Sequence, residues 1–446
     1  MPLTIDVTQA NLPANTPLYA YIIGGVVTAP TPASNPITNY WMDGSGKVNV
    51  LQLSDNTQPA GSFPGMSSGS AQINYPSAWA NYSIPLSQTT PTVIDLANIN
   101  STNIPSLGVG TNAFSGRIYI SAGNPLLPFT VLAGSNTSPN PYTGPAEGAG
   151  TPGSLVIYDW FEFSLDVNGN LNGNSTQVNA FGLPLSIAIT PSSSSPQGAL
   201  SITRQALMQA INQFPAPLDA GVLLQAVPAA DAALYPAAHL RAISPDTLSG
   251  NGGGSSQFQT YFDSVIQTAY SAWASTPIVV TGFATQSVSS GMVVNNELIF
   301  ISGTYTDSAT WNAQYAQTTA SEQMNFGLIT TAIIWQCDGS LVAGSAVQQS
   351  IGKQLAAAFN RGVAVNSQNQ VITSLNDGAC PTIDPTTQAP FYPANVASNY
   401  WSYQFHLWNK NHLAYGFPYD DICQQSPTLQ STAALQSLTI TLGAMK

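Results

Sequence analysis

The sequence predicts a mainly β protein that carries a mixed α/β lobe, and three observations predict it. From Leu3 to about Thr190, short runs alternate apolar and polar residues between clusters of Gly, Pro, Asn and Ser, the pattern of half-buried strands. Helical spacing then begins abruptly at Ile202–Phe214. The last segment, Leu435–Leu442, returns to alternation, with Leu438, Ile440 and Leu442 on one face, and is expected to rejoin the first sheet.

The first region reads as strands at Leu18–Val27, Arg117–Ser121, Phe129–Ala133 and Ser154–Leu165, rich in β-branched and aromatic residues. In Ile202–Phe214, the residues Ile202, Ala206, Leu207, Ala210 and Ile211 fall near one face, with Ser201 placed to cap the start. Ser256–Ala274 sets Phe258, Phe262, Val265, Ile266, Ala269 and Trp273 along one stripe, and Ala346–Arg361 does the same with Val347, Ile351, Leu355, Ala358 and Phe359. Between these helices, Ile278–Gly282, Gly291–Ser302 and Leu328–Trp335 read as strands. The loops Thr190–Gln197 and Asp246–Ser256 are the boundary signals. The expected organisation is a β-domain over 1–200, a mixed α/β domain over 201–375, and a C-terminal segment over 376–446 that ends in a strand of the first domain.

Composition narrows function by exclusion. Hydrophobic residues make up 43% of the 446, but charged residues only 6%, far below the roughly 25% of ordinary domains. No apolar run approaches the roughly 20 residues of a membrane-spanning helix, so the polar surface must come from Ser, Thr, Asn and Gln. Eight Lys plus Arg against twenty Asp plus Glu give a net charge of −12 and cannot build a basic patch, which excludes nucleic acid and anionic membranes as partners. A surface this poor in ionisable groups suits secretion into acidic surroundings, although Met1–Asn11 holds no basic stretch followed by an apolar one that would read as a signal peptide. Cys337, Cys380 and Cys423 are widely spaced, fitting either one disulfide with a leftover thiol or three buried thiols. Zinc spacing, a phosphate loop and a nucleophile elbow are all missing, so neither metal nor cofactor is expected.

The chemistry concentrates around Glu162, one of only four Glu with Glu147, Glu297 and Glu322. Period-two geometry puts Tyr158, Trp160, Glu162, Ser164 and Asp166 on one face of Ser154–Leu165, and Ile157, Asp159, Phe161, Phe163 and Leu165 on the other. The second face reads as core. The first combines flat rings, a carboxylate and small polar groups, which is how a sugar cleft is lined, and flanking aromatics would desolvate Glu162 and favour its protonated form. The same run also fits a plain sheet edge with Glu162 and Tyr158 in solvent. Beyond the turn Asp166–Asn174, a hairpin would return Gln177, Asn179 and Phe181 beside the Glu162 strand.

These two segments together resemble the catalytic hairpin of glycoside hydrolase family 64, the laminaripentaose-producing β-1,3-glucanases. The resemblance extends over nearly the whole chain. Ser115-Gly-Arg-Ile-Tyr-Ile120, Arg241-Ala-Ile-Ser-Pro245, Tyr261-Phe-Asp263, Ala358-Phe-Asn-Arg-Gly362 and Ala414-Tyr-Gly-Phe-Pro-Tyr-Asp-Asp421 are similar to family segments and come in the same order. It implies a thaumatin-like β-sandwich or barrel joined to the α/β domain across a wide cleft, with β-1,3-glucan as partner and a monomer as the working unit. It further implies that Glu162 is the general acid of an inverting endo-hydrolase and that Tyr419 or Asp420 contacts the sugar, in addition to Tyr158 and Trp160 of the strand face and Gln177 of the hairpin.

One position departs from the family pattern. Where the resemblance implies the Asp that activates water, this chain has Asn179. Inversion needs a second carboxylate roughly 6.5–9.5 Å from the acid, and a neutral amide cannot accept the proton. Three readings stay open: Asp166 or Asp159 supplies the base, the chain is a glucan-binding descendant without turnover, or Asn179 replaces an original Asp. Among the remaining residues, His406 and His412 read as structural or sugar-contacting, and His239 carries no signal. Asp420 and Asp421 fit bonding to turn backbone and a nearby Arg better than a calcium site. Arg241 and Arg361 read as clamps on carboxylates, with Asp263 or Asp421 as partner.

Overall fold

In the computed structural model the described residues are 1–446 without 28–36, 61–76, 111, 125, 136–137, 146–152, 193, 219–222, 367 and 369. The strand Ala113–Ala122 pairs along its length with Leu18–Val27 on one side and with Ile157–Leu165 on the other. Around these three long strands the largest sheet runs in the order Thr428–Gln430, Leu171–Ser175, Ile157–Leu165, Ala113–Ala122, Leu18–Val27, Asn39–Met42 and Val48–Val50. Its inner face carries Leu18, Ala20, Ile22, Ile118, Ile120, Ile157, Phe161, Phe163 and Leu165, all buried in one core. The alternation expected for the Glu162 strand therefore holds on this side.

A four-stranded sheet closes that core, in the order Leu185–Thr190, Ser437–Leu442, Pro2–Asp6 and Thr92–Asp95. Ser437–Leu442 runs parallel to Pro2–Asp6 and antiparallel to Leu185–Thr190, and it buries Leu438, Ile440 and Leu442 almost completely. Burying each such side chain contributes about 1.5–3 kcal/mol, enough to draw the end of the chain back across the molecule. The two sheets form an open sandwich, and among the described residues no closed barrel occurs.

The second core surrounds Trp273, Trp335, Phe359 and Trp401. Its five-stranded sheet runs Met324–Asn325, Glu297–Ser302, Val288–Val294, Ile278–Thr281 and Ser374–Asn376, flanked by the helices Asp263–Trp273 and Ala346–Asn360. Ser345 caps the latter through its hydroxyl. The chain crosses between cores near its end: Trp401 to Ile422 pack in the second, Leu429 to Met445 in the first.

Several local expectations are corrected here. Part of Leu328–Trp335 is a helix, Thr331–Gln336, because Thr330 accepts a hydrogen bond from Ile333 N and opens a turn where apolar content alone suggested a strand. Ser256–Ala274 divides into Ser256–Gln259 and Asp263–Trp273, and Thr203 rather than Ser201 caps Arg204–Ile211. Ser201 instead donates its hydroxyl to Trp408 O, at 2.8 Å. The aromatic helix Tyr400–Trp408 was not anticipated. Of the two cysteine arrangements, the one formed is a Cys380–Cys423 disulfide with Cys337 buried as a thiol.

Candidate active site

The register of the large sheet carries one row of side chains across it. Thr428, Asn174, Glu162, Arg117, Ile23, Trp41 and Asn49 are successive partners on seven adjacent strands. At a strand spacing of about 4.8 Å, the row is about 29 Å long. Two residues further along each strand lies a second row, Gln430, Asn172, Ser164, Ser115, Gly25 and Asn39, entirely uncharged. On the other side of the Glu162 row the same face is closed: Trp160, Tyr119 and Tyr21 sit in an aromatic cluster with Tyr82, Phe129 and Tyr158. Glu162 thus stands where a covered aromatic half of the face gives way to a polar half.

That position corrects the expectation for its neighbours. Tyr158 and Trp160 are each only 3% exposed, because Tyr119 packs against both rings within a buried cluster that also holds Tyr21 and Phe129, where period-two geometry had set them toward solvent. The guanidinium of Arg241 lies 4.6 Å from the Tyr158 ring, and that of Arg117 lies 4.9 Å from the ring of Trp160. Glu162 itself is not desolvated: its side chain is 46% exposed, and its Oε2 is 3.5 Å from an Arg117 terminal nitrogen. Tyr142 packs against the same cluster, and its hydroxyl is pushed up by burial, which outweighs the opposing charge of Arg117, with the charge of Glu162 adding to the rise.

The hairpin does not return as expected. Its register is Glu162 to Asn174 and Leu165 to Leu171, so Asn174 is the residue beside Glu162, and the chain leaves the sheet after Ser175. Gln177 is buried and belongs to the seam with the C-terminal segment, donating its backbone N–H to Tyr415 O and accepting from the Trp401 indole. Asn179 is half-buried, with its carboxamide 3.5 Å from the Thr247 hydroxyl and its carbonyl accepting from Ser244 N. Phe181 pairs with Ala242 in the strand His239–Ile243 rather than with the Glu162 strand. Asp166 turns into its own loop, where it accepts from Asn168 N, Asn170 N and the Asn170 amide; against slight burial, those hydrogen bonds hold its carboxyl below the usual range. Four residues along an extended chain also set it about 13 Å from Glu162, beyond the separation an inverting pair uses.

Asp159 faces the opposite way, as expected, and is buried. It accepts from Gly182 N and Leu183 N, and Gly182 is required there because a Cβ would meet Tyr158 O at 1.9 Å. Burial pushes its carboxyl up to about 7, against those backbone donors and the charge of Arg241. Arg204 donates to Gly182 O, His239 O and Leu240 O, and Arg241 donates to Gly153 O and Val156 O. Arg241 therefore clamps backbone carbonyls, not the carboxylate expected of it.

Asp420 is a completely buried hub. Its carboxylate meets Arg361 at 3.0 Å, the Ser402 hydroxyl at 2.7 Å, His406 Nε2 at 3.2 Å and Gly416 N at 3.0 Å. The clamp on Arg361 is thus Asp420, neither Asp263 nor Asp421, and with no exposed surface Asp420 is closed to the sugar contact expected of it. His406 is buried within this hub, which favours the structural half of its sequence reading over the sugar-contacting half. Tyr419 is half-buried in a left-handed conformation at φ 71°, its ring 5.3 Å from Lys353 Nζ. Among the described residues no three His, Cys, Asp or Glu gather to hold a metal, and no helix is long and apolar enough to cross a membrane.

Residues 37–442 match the family model of glycoside hydrolase family 64, described as Beta-1,3-glucanase. The chain belongs to glycoside hydrolase family 64. A search by sequence among curated proteins finds no match. Among solved structures, a laminaripentaose-producing β-1,3-glucanase in complex with laminaritetraose superposes with a TM-score of 0.69 at 19% identity, covering 100% of this chain and 99% of that one. A family 64 β-1,3-glucanase domain from Clostridium beijerinckii gives 0.65 at 21% identity, covering 99% and 98%. A laminaripentaose-producing family 64 enzyme from Paenibacillus barengoltzii gives 0.51 at 17%, covering 99% of this chain and 75% of that one. At these identities the likeness establishes the family 64 fold.

The part of the site that sequence reading missed is Arg117. It was noted only within a family-like segment, yet it is one of four arginines, and the other three are buried. An arginine on an alternating strand, at the period that faces solvent, was the available signal.

Proposed function

We propose that the protein binds β-1,3-glucan along the Glu162 row and is an exported endo-glucanase-type protein working as a monomer, with its hydrolysis limited by the lack of a carboxylate base. The observation that carries this reading is the open polar part of the sheet face, in which one exposed carboxylate, paired with Arg117, stands beside Asn174 and Thr428 and next to the uncharged row Gln430, Asn172, Ser164 and Ser115. Sugar hydroxyls need such donors and acceptors, and uncharged ones bind a neutral polymer without desolvating ions. In this reading Glu162 delivers a proton to the leaving glycosidic oxygen, and Arg117 orients its carboxyl group. Asn179, beside Thr247 and Ser244 at the seam of the lobes, would in this reading orient water but cannot take its proton. Asp166 is committed to its turn, which favours slow turnover and keeps a purely glucan-binding protein as the second reading.

The test is to incubate the full chain and Glu162→Gln with laminarin, measuring binding and reducing-end release. Binding by both, with slow release that falls by about 10² or more in Glu162→Gln, supports the proposal. Binding without release by either favours the second reading. No binding by either sinks both.

A further inference from the structure

Tyr142 reaches the Glu162 site from outside the large sheet. It lies in the short strand Tyr142–Thr143, which pairs with Thr130–Val131, and its ring packs 6.3 Å from that of Phe129 at the covered aromatic half of the face. One further contact fixes how far it extends. A Cβ placed on Gly144 would meet Tyr142 Cε2 at 3.5 Å and the Tyr119 hydroxyl at 3.8 Å, so the hydroxyl end of the Tyr142 ring and the hydroxyl of Tyr119 flank a single point. Tyr119 opposes Trp160, and two residues along the same strands, a step of about 7 Å, Arg117 opposes Glu162. Tyr142 therefore stands at the line where the covered aromatic half of the face gives way to the polar half.

Its two ends have different surroundings. The ring is half-buried against the cluster, whereas the hydroxyl has no hydrogen-bond partner among the described residues and feels the charges of Arg117 and Glu162. Burial holds that hydroxyl above the usual tyrosine range, so it stays a neutral donor throughout the range in which carboxyl groups titrate. Arg117 and Glu162 already meet each other at 3.5 Å. A tyrosine with its ring packed and its hydroxyl unclaimed loses little freedom when it binds, because only two side-chain torsions are involved and packing already restrains them. Beside an exposed carboxylate on a polar, uncharged surface, such a donor suits an oxygen of a neutral sugar.

We propose that Tyr142 is a glucan-binding residue whose hydroxyl donates to an oxygen of the sugar unit lying against Glu162, and so fixes where the glycosidic oxygen meets the carboxyl group. The proposal rests on the glucan reading of this site and adds to it a contact supplied from outside the large sheet.

The test uses the full chain carrying Glu162→Gln, in which hydrolysis does not consume the ligand, and compares its affinity for laminarin by calorimetric titration with that of the double variant Glu162→Gln, Tyr142→Phe. Loss of one neutral hydrogen bond is expected to weaken binding about three- to tenfold. The thermal midpoint is expected to stay the same, because the ring and its packing remain. With Glu162 intact, Tyr142→Phe is expected to raise KM for laminarin by a similar factor. Equal affinities in the two Glu162→Gln forms overturn the proposal and leave the glucan reading standing. A lower kcat in Tyr142→Phe without any loss of affinity also overturns it, since Tyr142 would then act only through Arg117 and Glu162. A midpoint that falls together with affinity assigns Tyr142 to the packing of the cluster, which again overturns it. If Glu162→Gln itself binds no laminarin, the glucan reading fails and this proposal fails with it.

Discussion

Glu162 and Arg117 are cross-strand partners, and the guanidinium that reaches the Glu162 carboxylate at 3.5 Å also covers the ring of Trp160 at 4.9 Å. One side chain therefore links the exposed carboxylate to the buried aromatic cluster beneath it. With both partners well exposed, the pair adds little stability, so its consequence lies in where it holds Glu162. Arg117→Ala is expected to lower kcat on laminarin by about tenfold with KM changing less. The decisive comparison is the double variant: if Arg117 acts through Glu162, Arg117→Ala in Glu162→Gln costs nothing further. Additive losses would show that Arg117 contacts the glucan independently.

Asn179 stands half-buried at the seam of the lobes, its carboxamide near the Thr247 hydroxyl. Asn179→Asp is expected to raise laminarin hydrolysis at least about tenfold while leaving binding nearly unchanged, because water activation needs a carboxylate whereas affinity is spread along the row. Equal rates in the two forms would rule out Asn179 as the position of the base.

Two buried carboxylates give the fold a pH dependence of opposite sign. Burial raises Asp159 to about 7, against an unfolded value of about 3.9, so between those values the folded state holds the extra proton and stability falls as pH rises. For Asp420, burial is overcome by the charge and hydrogen bond of His406 and by Arg361, and its carboxyl is held low. Its contribution is therefore complete above about 4 and lost as pH falls through its lowered folded value. Thermal midpoints should peak near pH 4 to 5. Asp159→Asn should remove the decline toward pH 7, whereas Asp420→Asn should cost about 3–5 kcal/mol by leaving Arg361 unpaired. A midpoint flat from pH 4 to 7 in the unmodified chain would contradict the assignment to Asp159.

The Cys380–Cys423 disulfide closes a loop across 43 residues and ties the segment before the helix Tyr400–Trp408 to the one after it. Replacing both cysteines by serine is expected to lower stability by about 2–4 kcal/mol in denaturant titrations, chiefly by loosening the unfolded chain's constraint. A loss below about 0.5 kcal/mol would mean that packing alone holds the two segments.

Periodicity within the chain was enough to divide the Glu162 strand into two faces, to place Leu438, Ile440 and Leu442 on one side of the last strand, and to find three helical stretches of the second lobe. Those features are local, because side-chain direction repeats every 2 or 3.6 residues whatever lies opposite. Composition likewise argued against nucleic acid before any fold was known, since eight cations cannot make a basic surface. What covers a face is not local. Tyr158 and Trp160 are buried in a cluster in which Tyr119, on another strand, packs against both rings, so only the assembled sheet decided that the open half of the face begins at Glu162. Asp420 came to Arg361 across 59 residues, and Asn174 rather than Asn179 came beside Glu162. Each of these depends on long-range pairing, in which burial and hydrogen bonding choose among partners that the linear order leaves equivalent.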